Sequence, residues 1–67
     1  MYPNVRGEMA KYNKRLEDLA RATGKTVGTM SLKLAGKAEL TWSECKAIHR
    51  ELGTKLTMEE LFSEEAL

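Results

Sequence analysis

Eight of the eleven lysines and arginines in this 67-residue chain fall within its first 37 residues, as Arg6, Lys11, Lys14, Arg15, Arg21, Lys25, Lys33 and Lys37. Only Glu8, Glu17 and Asp18 oppose them there, so the segment carries +5. Residues 38–67 reverse the balance, with three bases against seven acids and a charge of −4. A basic half joined to an acidic half suggests a surface on the first half that faces a polyanion. The bland alternative is chance clustering of charge in a short chain.

Other chemistries lack their residues. Cys45 and His49 each occur once, so neither an intramolecular disulfide nor a Cys/His zinc set can form. Cys45 reads as a small apolar residue and His49 as a packing residue on a helical stripe. Glu59–Glu60 and Glu64–Glu65 read as solvated acidic faces, because paired carboxylates doing acid–base work need a cleft. No Ser/His/Asp set, phosphate loop or metal spacing occurs. The chain is therefore expected to be a non-enzyme with no cofactor and no metal. No apolar run approaches the roughly 20 residues that span a bilayer, and the N-terminus has no apolar signal core. With a single cysteine, these features predict a cytoplasmic protein that is not membrane-inserted.

The elements that must position the basic residues are helices. The composition favours Leu, Ala, Lys, Glu and Met, and Pro3 is the only proline. The expected fold class is all-α, in one domain spanning residues 1–67. A first helix is expected over 3–12, with Val5, Met9 and Tyr12 on one face and Asn13 as a left-handed cap. A second is expected over 16–23, with Leu16, Leu19, Ala20 and Thr23 in phase. Its start is poorly signalled, because Lys14 and Arg15 are not N-cap residues. A single helix over 3–23 keeps the same phase and stays open. Gly24 ends the second helix, and Thr26 caps a third over 26–34. Thr41 with Glu44 forms a capping box for a fourth helix over 42–52, whose stripe is Trp42, Cys45, Ile48, His49 and Leu52. Trp42 is expected to be a core or edge anchor. Thr57 with Glu60 opens a fifth helix over 58–63, and the acidic tail from Ser63 is expected to fray.

Within this pattern Leu19, Ala20, Gly24 and Met30 form a scaffold. Two helices crossing through a tight turn need a small residue at their closest approach, supplied by Ala20, and positive φ in the turn, supplied by Gly24. Met30 then plugs the core from the second helix of the pair.

Residues 16–37, LEDLARATGKTVGTMSLKLAGK, resemble the helix-turn-helix of Cro-like and Xre-family phage repressors. The likeness extends to YPNVRGEMAK as first helix, SLKLAGKAELTWSECKAI as third-helix end, loop and fourth helix, and MEELF as closing segment. It is especially similar to short proteins of Gram-positive phages and prophages. The resemblance implies a five-helix, lambda-repressor-like DNA-binding domain, operator DNA as ligand, usually a dimer, and a bacterial host cell. It implies that the helix Thr26–Leu34 enters the major groove. Val27, Gly28, Ser31 and Leu32 would then face bases, with Thr29 alongside. Lys14, Arg15, Lys25, Thr26, Lys33 and Lys37 would lie at phosphates.

This chain departs from the family pattern. Leu16 stands where the family usually has a phosphate-anchoring Gln, and Arg15 where the helix cap is commonly Thr or Ser. Val27, Gly28 and Leu32 cannot make bidentate hydrogen bonds to bases. They leave thymine-methyl contacts, or a protein-binding patch of the kind an antirepressor or phage-encoded inhibitor would use. A nonspecific nucleic-acid binder is a third reading. So small a core seldom supplies more than about 3–5 kcal/mol. Met58, Leu61, Phe62 and Leu67 are therefore expected either to close the core or to bury against a second copy in a homodimer.

Overall fold

In the computed structural model, which describes residues 1–67, the expected helical phases become five helices. They are α1 (Pro3–Lys11), α2 (Leu16–Thr23), α3 (Val27–Leu34), α4 (Trp42–Leu52) and α5 (Met58–Leu61). No strand forms, and no helix is long and apolar enough to cross a membrane.

The continuous helix over 3–23 does not form. Asn13 adopts the left-handed region at φ +56°. The Lys14 N–H then folds back to the Met9 carbonyl at 2.7 Å, and the Asn13 N–H to that of Ala10 at 3.3 Å. This closing pattern satisfies carbonyls that the end of α1 would otherwise orphan. α2 restarts without a hydroxyl cap. The Asp18 carboxylate, three residues in, accepts the Arg15 backbone N–H at 2.8 Å. The arginine side chain has no acceptor to offer, so the cap runs only from the acidic partner. That partner was the missing start signal.

Gly24 ends α2 at φ +71°, where the Lys25 N–H reaches the Ala20 carbonyl at 2.9 Å. No neighbour crowds the position a Cβ would take, so the requirement for glycine is conformational and not spatial. Thr26 then caps α3, its Oγ1 accepting from the Thr29 N–H at 3.1 Å. The two remaining capping boxes form as the Thr-x-x-Glu spacing requires, at Thr41/Glu44 and Thr57/Glu60.

Every helix contributes to one core: Val5 from α1, Leu19 and Ala20 from α2, Met30 and Leu34 from α3, Ile48 and Leu52 from α4, and Leu61 from α5. Full burial of such side chains contributes about 1.5–3 kcal/mol each for the larger ones. α2 is the central element, packed against both α3 and α4. Ala20 and Met30, the small residue and the apolar plug of the sequence pattern, are both buried in this one core.

The tail does not fray. Asn4 is buried, and its Nδ2 donates to the carbonyls of Glu60 at 2.8 Å and Glu65 at 2.9 Å. Its Oδ1 accepts the Leu67 N–H at 3.0 Å. One amide side chain thus clamps the last residues across α1. α5 stops at Leu61, earlier than the expected 63, and Ser63 Oγ accepts the Glu65 N–H at 3.1 Å to turn the chain toward that clamp. His49 serves packing as expected, its Nε2–H donating to the Leu56 carbonyl at 2.7 Å across the α4–α5 connection.

Candidate nucleic-acid interface

α3 divides into two faces. Met30 and Leu34 are buried in the core, and α3 packs against α2. Val27, Gly28, Ser31 and Leu32 are exposed, with Val27 at 45% and Leu32 at 49%. Thr29 is half-buried, and its hydroxyl oxygen accepts from the Thr26 hydroxyl at 3.0 Å. The residues matched to base-facing positions therefore do share an outward surface, apart from Thr29 at its margin. No acidic residue occurs between Asp18 and Glu39, so the whole segment around α3 is free of carboxylates in sequence.

The expected phosphate contacts divide. Arg15 is exposed and only loosely paired with Glu17 at 4.0 Å. Lys25, two residues before α3, is half exposed and lies 4.0 Å from Glu44. Lys37, three residues after α3, is exposed and makes no ion pair. Lys37 is free to meet an anion, and Arg15 and Lys25 are held only by loose pairs at 4.0 Å. Lys14 is held by Glu51 at 3.2 Å. Thr26 is committed to its cap.

Lys33 is a correction to the sequence reading. Its ammonium lies 2.7 Å from both carboxylate oxygens of Glu44, and only 13% of its side chain is exposed. Glu44 is 5% exposed and also accepts the Thr41 N–H at 2.9 Å through Oε1. Burial alone would raise the Glu44 pKa. The hydrogen bonds from Lys33 and the Thr41 backbone, with the attraction of Lys33, outweigh it and hold the carboxyl below its ordinary value. Lys33 thus anchors α3 onto the start of α4 instead of presenting charge outward. The sequence showed Glu44 as a cap residue but carried no sign that the same carboxylate would face α3.

A second surface lies between α4 and α5. Trp42, Cys45, Met58, Glu59 and Phe62 line a groove of about 290 Å³. Trp42 is 65% exposed, so it is neither core nor packed edge as expected. As the first residue of α4 it precedes the stretch that meets the core. Phe62 stacks edge-to-face on Tyr2, with ring centroids 5.8 Å apart. Of the expected interface residues, Leu61 is fully buried in the chain's own core, while Met58 and Phe62 are half-buried and Leu67 is 75% exposed. Leu61 is therefore removed from any contact with a partner.

One carboxylate, Glu59, lines this groove. Burial, followed by the charges of Glu64, Cys45 and Glu39, pushes the Tyr2 hydroxyl pKa up. Burial and Glu44 likewise raise the Cys45 thiol, which at neutral pH is protonated and acts as apolar lining. No three His, Cys, Asp or Glu side chains gather as a metal site. No family model, curated protein or solved structure matches this chain.

Proposed function

We propose that this chain is a sequence-specific DNA-binding regulator of transcription. In this reading α2, the Gly24 turn and α3 form a lambda-repressor-like helix-turn-helix, and α3 enters the major groove of operator DNA as in the Cro-like repressors it resembles. The observation that carries the reading is the setting of α3. Its exposed face is backed by a fully buried anchor, Met30, and bordered at one end by the unpaired Lys37 and at the other by Lys25, loosely paired with Glu44 at 4.0 Å. The Lys33–Glu44 pair supports it further by fixing the pose of the helix.

Gly28 permits close backbone approach to the duplex, and Val27 and Leu32 suit thymine methyl groups. Arg15, Lys25 and Lys37 supply phosphate contacts, which position the protein without reading sequence. Occupying promoter DNA in this way would repress. Selection of bound duplexes from a random-sequence pool at moderate salt tests the proposal. The expected result is one enriched motif rich in A·T steps, bound with an affinity that falls steeply with salt. Equal retention of unrelated sequences would reject sequence-specific binding.

One observation favours a second reading. The outward face of α3 carries no amide or guanidinium group, yet leaves Val27 and Leu32 nearly half exposed. That suits a protein-binding module on the same scaffold, such as an antirepressor. Loss of a captured protein partner by Leu32→Glu, in a chain that enriches no DNA motif, would select it.

A further inference from the structure

We infer that Arg6 of α1 holds a backbone phosphate of the bound duplex, beside Lys37 at the C-terminal end of α3, so that α1 belongs to the nucleic-acid interface. The inference rests on the reading of α3 as a DNA-contacting helix. It adds a contact from a helix outside the helix-turn-helix itself.

Ion pairs, tight or loose, already engage most of the other bases in residues 1–37. Lys14, Arg15, Arg21, Lys25 and Lys33 each lie within 4.0 Å of a carboxylate. Lys11 sits over the Tyr12 ring, 5.4 Å from its centroid, in the last turn of α1. Arg6 and Lys37 remain. Both are exposed, and neither makes an ion pair. They are distant in the chain, but the fold brings both to one end of α3. The Lys37 N–H folds back to the Leu32 carbonyl at 2.9 Å, past Gly36 at φ +82°. The Arg6 Nη2 donates to the Leu34 carbonyl at 3.4 Å, from 28 positions away.

The chemistry of this helix end favours an arginine. The last carbonyls of a helix carry partial negative charge, which by itself repels a phosphate. Arg6 meets that charge directly, with Nη2 on the Leu34 carbonyl and Nε on the Met1 carbonyl, each at 3.4 Å. Both bonds are longer than the usual range of about 2.7–3.2 Å, so they orient the planar guanidinium without saturating it. The group carries five N–H donors in a fixed fork, and those not turned to the carbonyls are left for another acceptor. Two oxygens of one phosphate match that fork. Glu39 and Glu64, whose charges reach Tyr2 one turn before Arg6, pair with neither cation. An anion arriving here therefore displaces no carboxylate.

The salt dependence of duplex binding tests the inference, measured from about 50 to 200 mM salt for wild type, Arg6→Gln, Arg6→Lys, Lys37→Gln and Lys11→Gln. The probes are a duplex selected from the random-sequence pool and an unrelated duplex of equal length. Glutamine keeps a donor for the Leu34 carbonyl without the charge, and lysine keeps the charge. Lys11→Gln makes the same change in net charge at the other end of α1. Each phosphate contact contributes about 0.9 to the slope of log affinity against log salt. Arg6→Gln and Lys37→Gln should each lower the slope by about that amount, so that each loses about 3-fold less affinity than wild type across this range. Both duplexes should respond equally, because a phosphate contact reads no sequence. Arg6→Lys and Lys11→Gln should keep the wild-type slope. All three positions are exposed, and retained helical circular dichroism separates a lost contact from lost folding. An Arg6→Gln slope equal to wild type overturns the inference. So does an equal fall in Lys11→Gln, or an Arg6→Lys slope as low as that of Arg6→Gln. An enriched motif with an unchanged Arg6→Gln slope rejects only this inference. Equal binding of both duplexes, with the slope lowered by Arg6→Gln, rejects only sequence-specific reading by α3. A wild-type chain that binds neither duplex rejects both.

Discussion

The outward face of α3 and the α4–α5 groove both leave large apolar side chains in water, yet their surroundings differ in shape and in charge. Val27 and Leu32 sit on a convex helix in a stretch without carboxylates, bordered by Lys25 and Lys37. Trp42 overhangs a concave site whose lining includes Glu59, and the Tyr2 hydroxyl beside it feels Glu64 and Glu39. Exposure of apolar area alone identifies a contact surface without naming its partner. The first surface is convex and bordered by bases, whereas the second is concave, with Trp42 forming one of its walls. Glu44 joins the two regions. It holds Lys33 of α3 and caps α4, the helix that carries Trp42.

The largest expected effect breaks both regions at once. Glu44→Ala leaves the Lys33 ammonium, 13% exposed, without its partner. Removing one member of a buried pair costs about 3–5 kcal/mol. A core of this size supplies little more than that, so the variant should be largely unfolded by thermal circular dichroism. A midpoint equal to wild type would show that the two regions are not joined through this carboxylate.

Acid should act through the same group. The Glu44 pKa is lower in the folded chain than in the unfolded one. Its stabilisation is therefore complete above the ordinary glutamate value of about 4.3 and is lost as pH falls through the lower folded value. Urea midpoints should stay level from neutral pH to about pH 5 and then decline, and Glu44→Gln should flatten that decline. A wild-type decline beginning near neutrality would point to another group.

Smaller changes separate the regions. Asn4→Ala leaves the Glu60 and Glu65 carbonyls and the Leu67 N–H without their side-chain partner, at a cost of about 1–3 kcal/mol. Limited proteolysis should then cut within residues 62–67, while α3 keeps its ligand. Gly24→Ala places a side chain at φ +71° and should cost about 1–2 kcal/mol on the α2–α3 side. Leu32→Ser, at a site 49% exposed, should change stability by no more than about 0.5 kcal/mol. It should nevertheless weaken whatever α3 binds, with the α4–α5 groove untouched. Equal binding by wild type and Leu32→Ser would remove α3 from the interface.

Much of the architecture was legible in local spacing. Thr41/Glu44 and Thr57/Glu60 announced their helices because a capping box is closed within four residues. Gly24 and Asn13 marked their helix ends because left-handed backbone is tolerated by few residue types. Leu19, Met30, Leu34 and Ile48 announced the core through helical phase alone. The outward set on α3 followed from that same phase, since residues opposite Met30 and Leu34 must face away from the core.

Long-range partners were not legible. Asn4 and Leu67 stand 63 positions apart, and nothing local to either predicts the clamp between them. Lys33 and Lys37 look alike in the chain, yet one is locked onto Glu44 and the other is free. Trp42 kept the phase of its stripe but lies outside the packed part of α4, so periodicity placed it in a core that ends before reaching it. By itself, then, the sequence determined which segments are helical and the ends marked by Gly24 and Gly53, because those are set by interactions across three or four residues. Only the tertiary structure decided which charges are committed and which are free, and that a groove beside Trp42 exists at all, because burial and ion pairing depend on what neighbouring helices bring to the same point in space.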